Sequence, residues 1–293
     1  MQFNSTWYKE LLICPDCGSS LNFTVDSVHC QNCNFSNQNP KDLRPQTSSH
    51  INIDFCRQLN LELESLLKTI KLSPPEIEYH GPKARRDSQA FMSLMMAHLK
   101  PSSRVLDLGC GSKDQFTPIS HLGHLYVGVD YSKVEADYLA DAHSIPFQSS
   151  SFDCVFSYAV LEHLHNPFLA IKEINRVLKP GGIFIGSVSQ GEPFHSSYFH
   201  LTAWGLISLV SSVPSLKIEQ LWGSMDTLKS LSRMGRYPRV IRWIIGQIDR
   251  FHQAVPILSP RKMQWSSYEL TVDKLYRAGS ICFLIKKLHP DEE

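Results

Sequence analysis

The sequence predicts an α/β chain: a doubly wound, mostly parallel seven-stranded sheet, preceded by a small cysteine-bearing module and interrupted by a helical insertion before its last strand. Three observations predict it. Apolar β-branched runs alternate with segments of helical period through the second two-thirds of the chain, the pattern of strands joined by crossover helices. Two of those runs end on an acidic residue beside glycine, Val105-Leu106-Asp107-Leu108-Gly109-Cys110-Gly111 and Val127-Gly128-Val129-Asp130. Ahead of them, Cys14-Pro15-Asp16-Cys17 and Cys30-Gln31-Asn32-Cys33 form two C-x-x-C pairs.

The cysteine module occupies 1–36. Between the pairs, Leu21, Phe23 and Val25 alternate as in a short strand. Each pair presents two thiolates to one tetrahedral Zn²⁺, and the strand returns the chain between them, as in a zinc ribbon. Sulfurs from Cys14, Cys17, Cys30 and Cys33 close the coordination shell, so the expected zinc is structural. A segment this small cannot fold on apolar burial alone, and the metal would supply most of its stability. Residues 37–82 read as a linker with one helix. The stretch 36–50 is polar and proline-containing, and Leu59, Leu61, Leu63, Leu66, Leu67 and Ile70 mark an amphipathic helix stopped by Ser73-Pro74-Pro75.

The remaining elements follow over 83–293. Phe91, Leu94, Met95 and Leu99 give 87–100 a helical apolar face that covers the sheet. Strands are expected at 104–108 and 125–130; between them Thr117-Pro118 fits an N-cap with proline at the first helical position, and Gly123 closes a short helix. The ten residues between Asp130 and Asp141 are too few for a crossover helix plus a strand, so a compressed connection leads to a third strand near 137–140. A fourth strand over 151–157 precedes a helix over 167–178. Lys179-Pro180-Gly181-Gly182 reads as a turn before a fifth strand at 183–188, Thr202 as the N-cap of a helix running to Leu209, and 216–222 and 280–287 as the last two strands.

The paired strand ends describe a nucleoside-binding crevice. Gly109 and Gly111 let the backbone turn and approach a ligand, while Asp130 is placed to accept hydrogen bonds from ribose hydroxyls. A dinucleotide site needs a third glycine where this chain has Asp114, and a carboxylate there repels pyrophosphate; Asp107 adds negative charge nearby. S-adenosylmethionine, with no phosphate and with cationic ammonium and sulfonium groups, fits that charge.

Composition sets the bounds. The chain has 293 residues, 42% of them hydrophobic and 19% charged, enough for a globular α/β domain plus an appendage. Net charge is +1, so the chain as a whole carries no strong field for nucleic acid. Half of the eight cysteines fall in the C-x-x-C pairs, which points to metal binding in a reducing compartment. Residues 1–12 lack a basic flank before an apolar stretch, and no run is long enough to span a bilayer, so a cytoplasmic protein is expected.

Six motifs in order carry a family resemblance: Asp-Leu-Gly-Cys-Gly at 107–111, Val-Gly-Val-Asp at 127–130, Ala-Asp-Ala-His-Ser-Ile-Pro-Phe at 140–147, Ser-Phe-Asp-Cys-Val at 151–155, Val-Leu-Glu-His-Leu at 160–164 and Arg-Val-Leu-Lys-Pro-Gly-Gly at 176–182. Over roughly residues 100 to 190 the chain resembles the class I S-adenosylmethionine-dependent methyltransferases, of Rossmann-like fold, and most closely the small-molecule branch that includes ubiquinone and menaquinone methylases. The resemblance implies that Gly109 and Gly111 line the methionine moiety with Asp107 nearby, that Asp130 holds the ribose, that Asp141 and Ala142 flank the adenine, and that Ser157 and Tyr158 close the site. Two departures stand out: the family's usual third glycine is Lys113 here, and the second crossover is shortened.

Methyl transfer is an in-line displacement at a sulfonium, for which an enzyme supplies alignment and, for some acceptors, a general base. Candidates for the base lie after the fourth strand (Glu162, His163, His165) and after the fifth (His195, Tyr198, His200), with His163 first and His200 near the mouth. The insertion, 223–279, is lopsided. Lys229, Arg233, Arg236, Arg239, Arg242 and Arg250 interleave with Val240, Ile241, Ile244, Ile245, Ile248 and Phe251 at helical spacing, with Asp249 opposed. Two readings stand: a basic amphipathic helix over 229–251 that meets a membrane surface or a lipid-linked substrate, or a lid with a solvated basic face. The expected acceptor is a small molecule, with a glycan or a lipid-linked intermediate as the finer reading, on a protein peripheral to the membrane. A zinc ribbon before such a domain also resembles ribosomal RNA guanine methylases, and a non-catalytic partner protein retaining the fold is the third alternative.

Overall fold

The computed structural model describes residues 14, 17, 19–38, 63–82, 86–133, 135–191, 197–224, 237–254 and 265–292. They belong to two compact units, Met1–Lys68 and Thr69–Glu293.

In the first unit three short strands form an antiparallel sheet in the order β1-β2-β3: β1 (Leu21–Phe23), β2 (Val28–Cys30) and β3 (Ser36–Asn37). The alternation expected through Val25 stops at Phe23, because Thr24 and Ser27 close a turn, Thr24 Oγ1 accepting from the Ser27 backbone N–H at 2.9 Å. Val25 at the turn's tip is therefore exposed. Cys14, Val28, Cys30 and Phe35 make a miniature core. Helix α1 covers 63–69; Leu59 and Leu61 of the expected helix lie outside the described residues.

In the second unit, β4 (Arg104–Leu108), β5 (Leu125–Asp130), β6 (Tyr138–Leu139), β7 (Phe152–Tyr158), β8 (Leu178–Ser189), β9 (Leu216–Gly223) and β10 (Ser280–Lys287) form one seven-stranded sheet in the order β6-β5-β4-β7-β8-β10-β9. The first five pair in parallel, and β10 runs antiparallel between β8 and β9. The chain winds outward from β4 in one direction and from β7 in the other. Such a reversal opens a crevice at the carboxyl ends of β4 and β7, where doubly wound sheets bind ligands.

Helices cover both faces. On one, α2 (Arg86–His98) inserts Phe91, Met92 and Met95 into a core with Phe156, Trp222 and Leu284, and Phe91 meets the Phe156 ring edge-on at 5.4 Å. Ile119 of α3 (Phe116–His121) joins the same core. The crossover from β7 to β8 uses α4 (Pro167–Val177), which buries Ala170, Ile171, Ile174 and Val177, and α5 (Ala203–Ser211) follows β8. Asn166 caps α4 through the Leu169 N–H with proline at the first position, and Thr202 caps α5 through the Gly205 N–H as expected. The insertion holds α6 (Arg239–Ala254) and α7 (Ser267–Tyr276), the latter opened by a reciprocal capping box between Ser266 and Glu269.

Three expectations need correcting. Thr117 does not cap α3; the helix starts at Phe116 after Gln115, so Pro118 sits in the first turn, where its missing N–H has no intrahelical partner to lose. Residues 179–182 are a bulge inside β8, not a separate turn: the β7 partner skips from Phe152↔Leu178 to Cys154↔Ile183, and Gly181 takes a positive φ of 75°. The linker expected to run to residue 82 gives way earlier. Lys71 bridges to Gln220, Gln220 Nε2 donates to the Ser73 carbonyl at 2.6 Å, and Tyr79 enters the sheet core.

Candidate functional site

The crevice is built by the turn after β4. The Gly109 and Cys110 N–H groups both donate to the Val129 carbonyl, at 2.8 and 3.0 Å, which folds the turn across the end of β5. Gly109 is required twice: its φ is +76°, and a Cβ there would collide with the Val160 side chain. Gly111, at φ +54°, faces open space that a Cβ would meet nothing in, so the backbone is bare on the crevice side.

Asp130 locks this turn. One carboxylate oxygen accepts from the Gly111 N–H at 3.1 Å and the other from the Ser132 and Lys133 N–H groups at 2.9 and 3.0 Å. Partial burial by itself would raise its pKa, but the backbone donors outweigh it and hold the group below the usual carboxylate range. Two carboxylate oxygens offer about four acceptor directions, so three N–H donors leave capacity for a ligand hydroxyl.

Asp107 behaves differently. It is 1% exposed, and Tyr126 Oη donates to its Oδ2 at 2.7 Å. Burial lifts its pKa to about 7; the Tyr126 hydrogen bond opposes that, and the charges of Asp130 and Asp114 reinforce it. The floor of the crevice thus carries more negative charge than it solvates, a site that favours a cation and disfavours phosphate.

The turn after β6 is a clasp. Asp141 accepts from the His143 backbone N–H at 2.9 Å and pairs with its Nδ1 at 2.6 Å, while Nε2 accepts from the Asn166 N–H at 3.2 Å, which puts the ring proton on Nδ1. His143 so ties the turn after β6 to the cap of α4, with Ala142 buried beneath. Farther along, Arg176 donates to the Phe147 and Ile145 carbonyls and Glu173 accepts from the Ile145 N–H, which explains why the Ile-Pro-Phe and Arg-Val-Leu segments accompany one another. At the end of β7, Ser157 is wholly buried, whereas the Tyr158 ring turns to the α2 face and packs on Phe91 at 6.2 Å.

Base candidates sit at the carboxyl ends of β7 and β8. His163 ends a short 3₁₀ turn and is half-buried. Glu162 is wholly buried: its Oε1 accepts from the Ser189 N–H at 3.0 Å, and its backbone carbonyl accepts from Tyr198 and Phe199. That makes it a strut between the two strand ends. His165 stacks on the Tyr198 ring at 3.8 Å. His200 Nδ1 donates to the Gln190 carbonyl at 3.0 Å. His195 lies outside the described residues. The sequence reading missed Tyr126, His143 and Val160; the first and last act through strand register and a bend, which spacing alone does not reveal.

The four cysteines of the first unit converge. Their sulfurs all lie within 4.8 Å of one another, with Cys14–Cys33 at 3.6 Å and Cys17–Cys30 at 3.5 Å. Tetrahedral zinc with bonds of about 2.3 Å sets sulfur–sulfur edges near 3.8 Å, so the cluster fits that metal. Hydrogen bonds from the Ser19 side chain and backbone hold the Cys17 thiol down to about 6. Cys33 is pushed up to about 12: the Phe35 backbone favours its thiolate, but burial and the three other sulfurs outweigh that. Ionising all four sulfurs needs a cation among them.

Residues 106–186 match a protein-family model described as a methyltransferase domain. The chain is 31% identical over 105 residues to a demethylmenaquinone methyltransferase of Staphylococcus haemolyticus (30% of this chain, 44% of that protein) and 31% identical over 103 residues to a ubiquinone biosynthesis O-methyltransferase of Chelativorans sp. (30% and 41%). It thus spans less than half the length of the curated relatives it matches. Among solved structures it is similar to the [4+2]-cyclase SpnF, at 18% identity over 81% of this chain and 95% of that one, with a TM-score of 0.45. Among the described residues no helix is long and apolar enough to cross a membrane.

Proposed function

We propose that this chain, whose residues 106–186 match a methyltransferase-domain family model, is a class I S-adenosylmethionine-dependent methyltransferase and methylates a small organic acceptor. The observation that carries the reading is the acidic crevice: Asp107, buried and driven to about 7, lies beneath a turn held by Asp130. When bound, S-adenosylmethionine supplies an electrophilic methyl group on a sulfonium. The chain's residues do the rest. Gly109 and Gly111 let backbone approach the methionine portion, Asp107 and Asp130 supply negative charge and ribose-hydroxyl acceptors, and the Asp141–His143 clasp with Ala142 bounds the adenine side. His163 and His200 are the bases for acceptors that must lose a proton. The glycan or lipid-linked acceptor belongs to this reading as its finer form.

Zinc, in the same proposal, is held by Cys14, Cys17, Cys30 and Cys33 and is structural, since four thiolates leave no open position.

The test incubates the full chain with cell extract and methyl-labelled cofactor and follows transfer by mass spectrometry, alongside calorimetry of cofactor binding. Label entering one small-molecule species, and loss of the binding heat in Asp130→Ala, is the expected result. Binding heat unchanged in Asp130→Ala, or a response to nicotinamide dinucleotide in place of S-adenosylmethionine, overturns it.

A further inference from the structure

Helix α6 breaks the rule the other helices obey. A helix of a globular domain hides its apolar stripe in a core, as α4 hides Ile171 and Ile174. Along α6, Val240, Ile241, Ile244 and Ile248 recur on one side, yet Val240 is 67% exposed and the other three between 41% and 45%. No described side chain of this helix is buried. The opposite side carries Arg239 and Arg242, and neither forms an ion pair among the described residues. Trp243, 65% exposed, and Tyr237, 47% exposed, add aromatic rings of the kind that settle at a lipid–water boundary. No acidic residue occurs from Tyr237 to Ile248.

We infer that α6 is an interfacial helix that seats this protein on an anionic membrane surface, its isoleucine stripe entering the acyl boundary and its arginines meeting lipid phosphates. The charge selects among occupants. A second copy of the chain pairing about a two-fold axis through this stripe would cover the isoleucines but give the arginines, on the opposite side, no anionic partner, and a nucleic acid would satisfy the arginines but leave the isoleucines in water. An anionic bilayer satisfies both.

Topology gives the seating a direction. The chain leaves the sheet at Gly223 and returns at Ser280, which pairs with Ser189. Both points lie at the sheet end where β4, β7 and β8 finish, the end that holds the crevice. Resting on the proposed methyl transfer, the inference adds that the acceptor is an amphiphile met at the bilayer surface.

Sedimentation of the zinc-loaded full chain with vesicles tests this, comparing phosphatidylcholine alone with phosphatidylcholine containing about 30 mol% phosphatidylglycerol. Binding to the anionic vesicles only is expected. Arg239→Gln with Arg242→Gln should weaken it about thirtyfold, at about 1 kcal/mol per cationic side chain, and Ile244→Asp with Ile248→Asp should abolish it while cofactor binding by calorimetry stays unchanged. Equal binding to both vesicles, no binding to either by a chain that binds cofactor, or concentration-dependent dimerisation lost in the Ile244→Asp, Ile248→Asp variant without vesicle binding, each overturns it. Vesicle binding by a chain that binds no cofactor would sink the methyltransferase reading and leave the membrane seating standing.

Discussion

Replacing Asp107 by Asn should make the cofactor-free protein more stable and the cofactor complex weaker, in amounts that follow from one buried charge. The carboxyl moves from 3.8 to about 7 on folding, chiefly because it is buried. Each unit is worth about 1.36 kcal/mol, so holding it ionised costs the fold about 4 kcal/mol at pH 8 and above. The sign follows from proton counting. Between about pH 4 and 7 the unfolded chain has lost this proton while the folded chain keeps it, so wild-type stability falls as pH rises through that window and levels off above the folded value. Asparagine keeps an acceptor for Tyr126 Oη and cannot ionise; whatever its amide costs in that site does not depend on pH. The stability of Asp107→Asn minus that of wild type should therefore grow by about 2 kcal/mol between pH 5.5 and 8.5, measured by urea unfolding of both proteins in one buffer series. Cofactor binding should show the mirror image. A cationic ligand prefers the ionised carboxylate, so wild-type Kd should tighten about tenfold from pH 6 to pH 8 and the variant's should stay flat. A stability difference that does not vary with pH would refute the argument, because burial would then not be straining the charge.

Other consequences follow from the same geometry. Gly109→Ala meets both a positive φ and the Val160 side chain, so it should lose cofactor binding and about 2 kcal/mol or more of stability; adding Val160→Ala should restore part of that and no more, as read by denaturation of the pair. Cys17→Ser should release the metal and unfold the first unit while cofactor affinity changes less than twofold, followed by metal analysis and calorimetry on one sample. His143→Ala removes the link between Asp141 and the Asn166 N–H and should weaken cofactor binding several-fold with a stability loss of about 1 kcal/mol.

What could be read from the sequence was what local chemistry encodes. The runs ending at Asp107, Asp130 and Ser157 became β4, β5 and β7 because β-branched residues bounded by glycine or acid have few alternatives to a buried strand. The compressed link after Asp130 was legible from chain length alone, and β6 is accordingly two residues long. The Ser266-x-x-Glu269 box that opens α7 was present in the letters as well, though it went unread inside the insertion. Illegible were features set by distant partners. Lys71 joins the large unit by pairing with Gln220 far along the chain, and no local composition announces that. Tyr126 reaches Asp107 only because the β4–β5 register sets Val105 opposite Tyr126. The Thr117-Pro118 pair misplaced the α3 cap by two residues, because Pro118 is tolerated anywhere in the first turn and does not single out its first position.

Lys113 stands where the methyltransferases this chain resembles carry glycine, and its backbone keeps the conformation glycine would adopt, at φ 59°. A side chain there costs about 1–2 kcal/mol. Three contacts offset it: Nζ meets Asp137 Oδ1 at 2.6 Å and lies over the Phe116 and Tyr126 rings at 5.3 and 5.5 Å. Asp137 in turn accepts from the Gly128 N–H at 2.8 Å, so the lysine fastens the glycine turn after β4 to the shortened link after β5. It also lowers the Asp107 pKa by its charge. The two effects separate in two variants. Lys113→Ala keeps the strain and drops the contacts, whereas Lys113→Gly drops both, so Ala should be less stable than Gly by about 1 kcal/mol in urea unfolding. In both variants the pH at which cofactor binding tightens should move upward from wild type, because the Asp107 carboxyl loses a neighbouring cation. An alanine variant more stable than the glycine variant would show that the backbone at 113 is unstrained, because an unstrained site favours alanine. An unmoved pH profile would remove Lys113 from the electrostatics of the crevice and leave it a role in the fold alone.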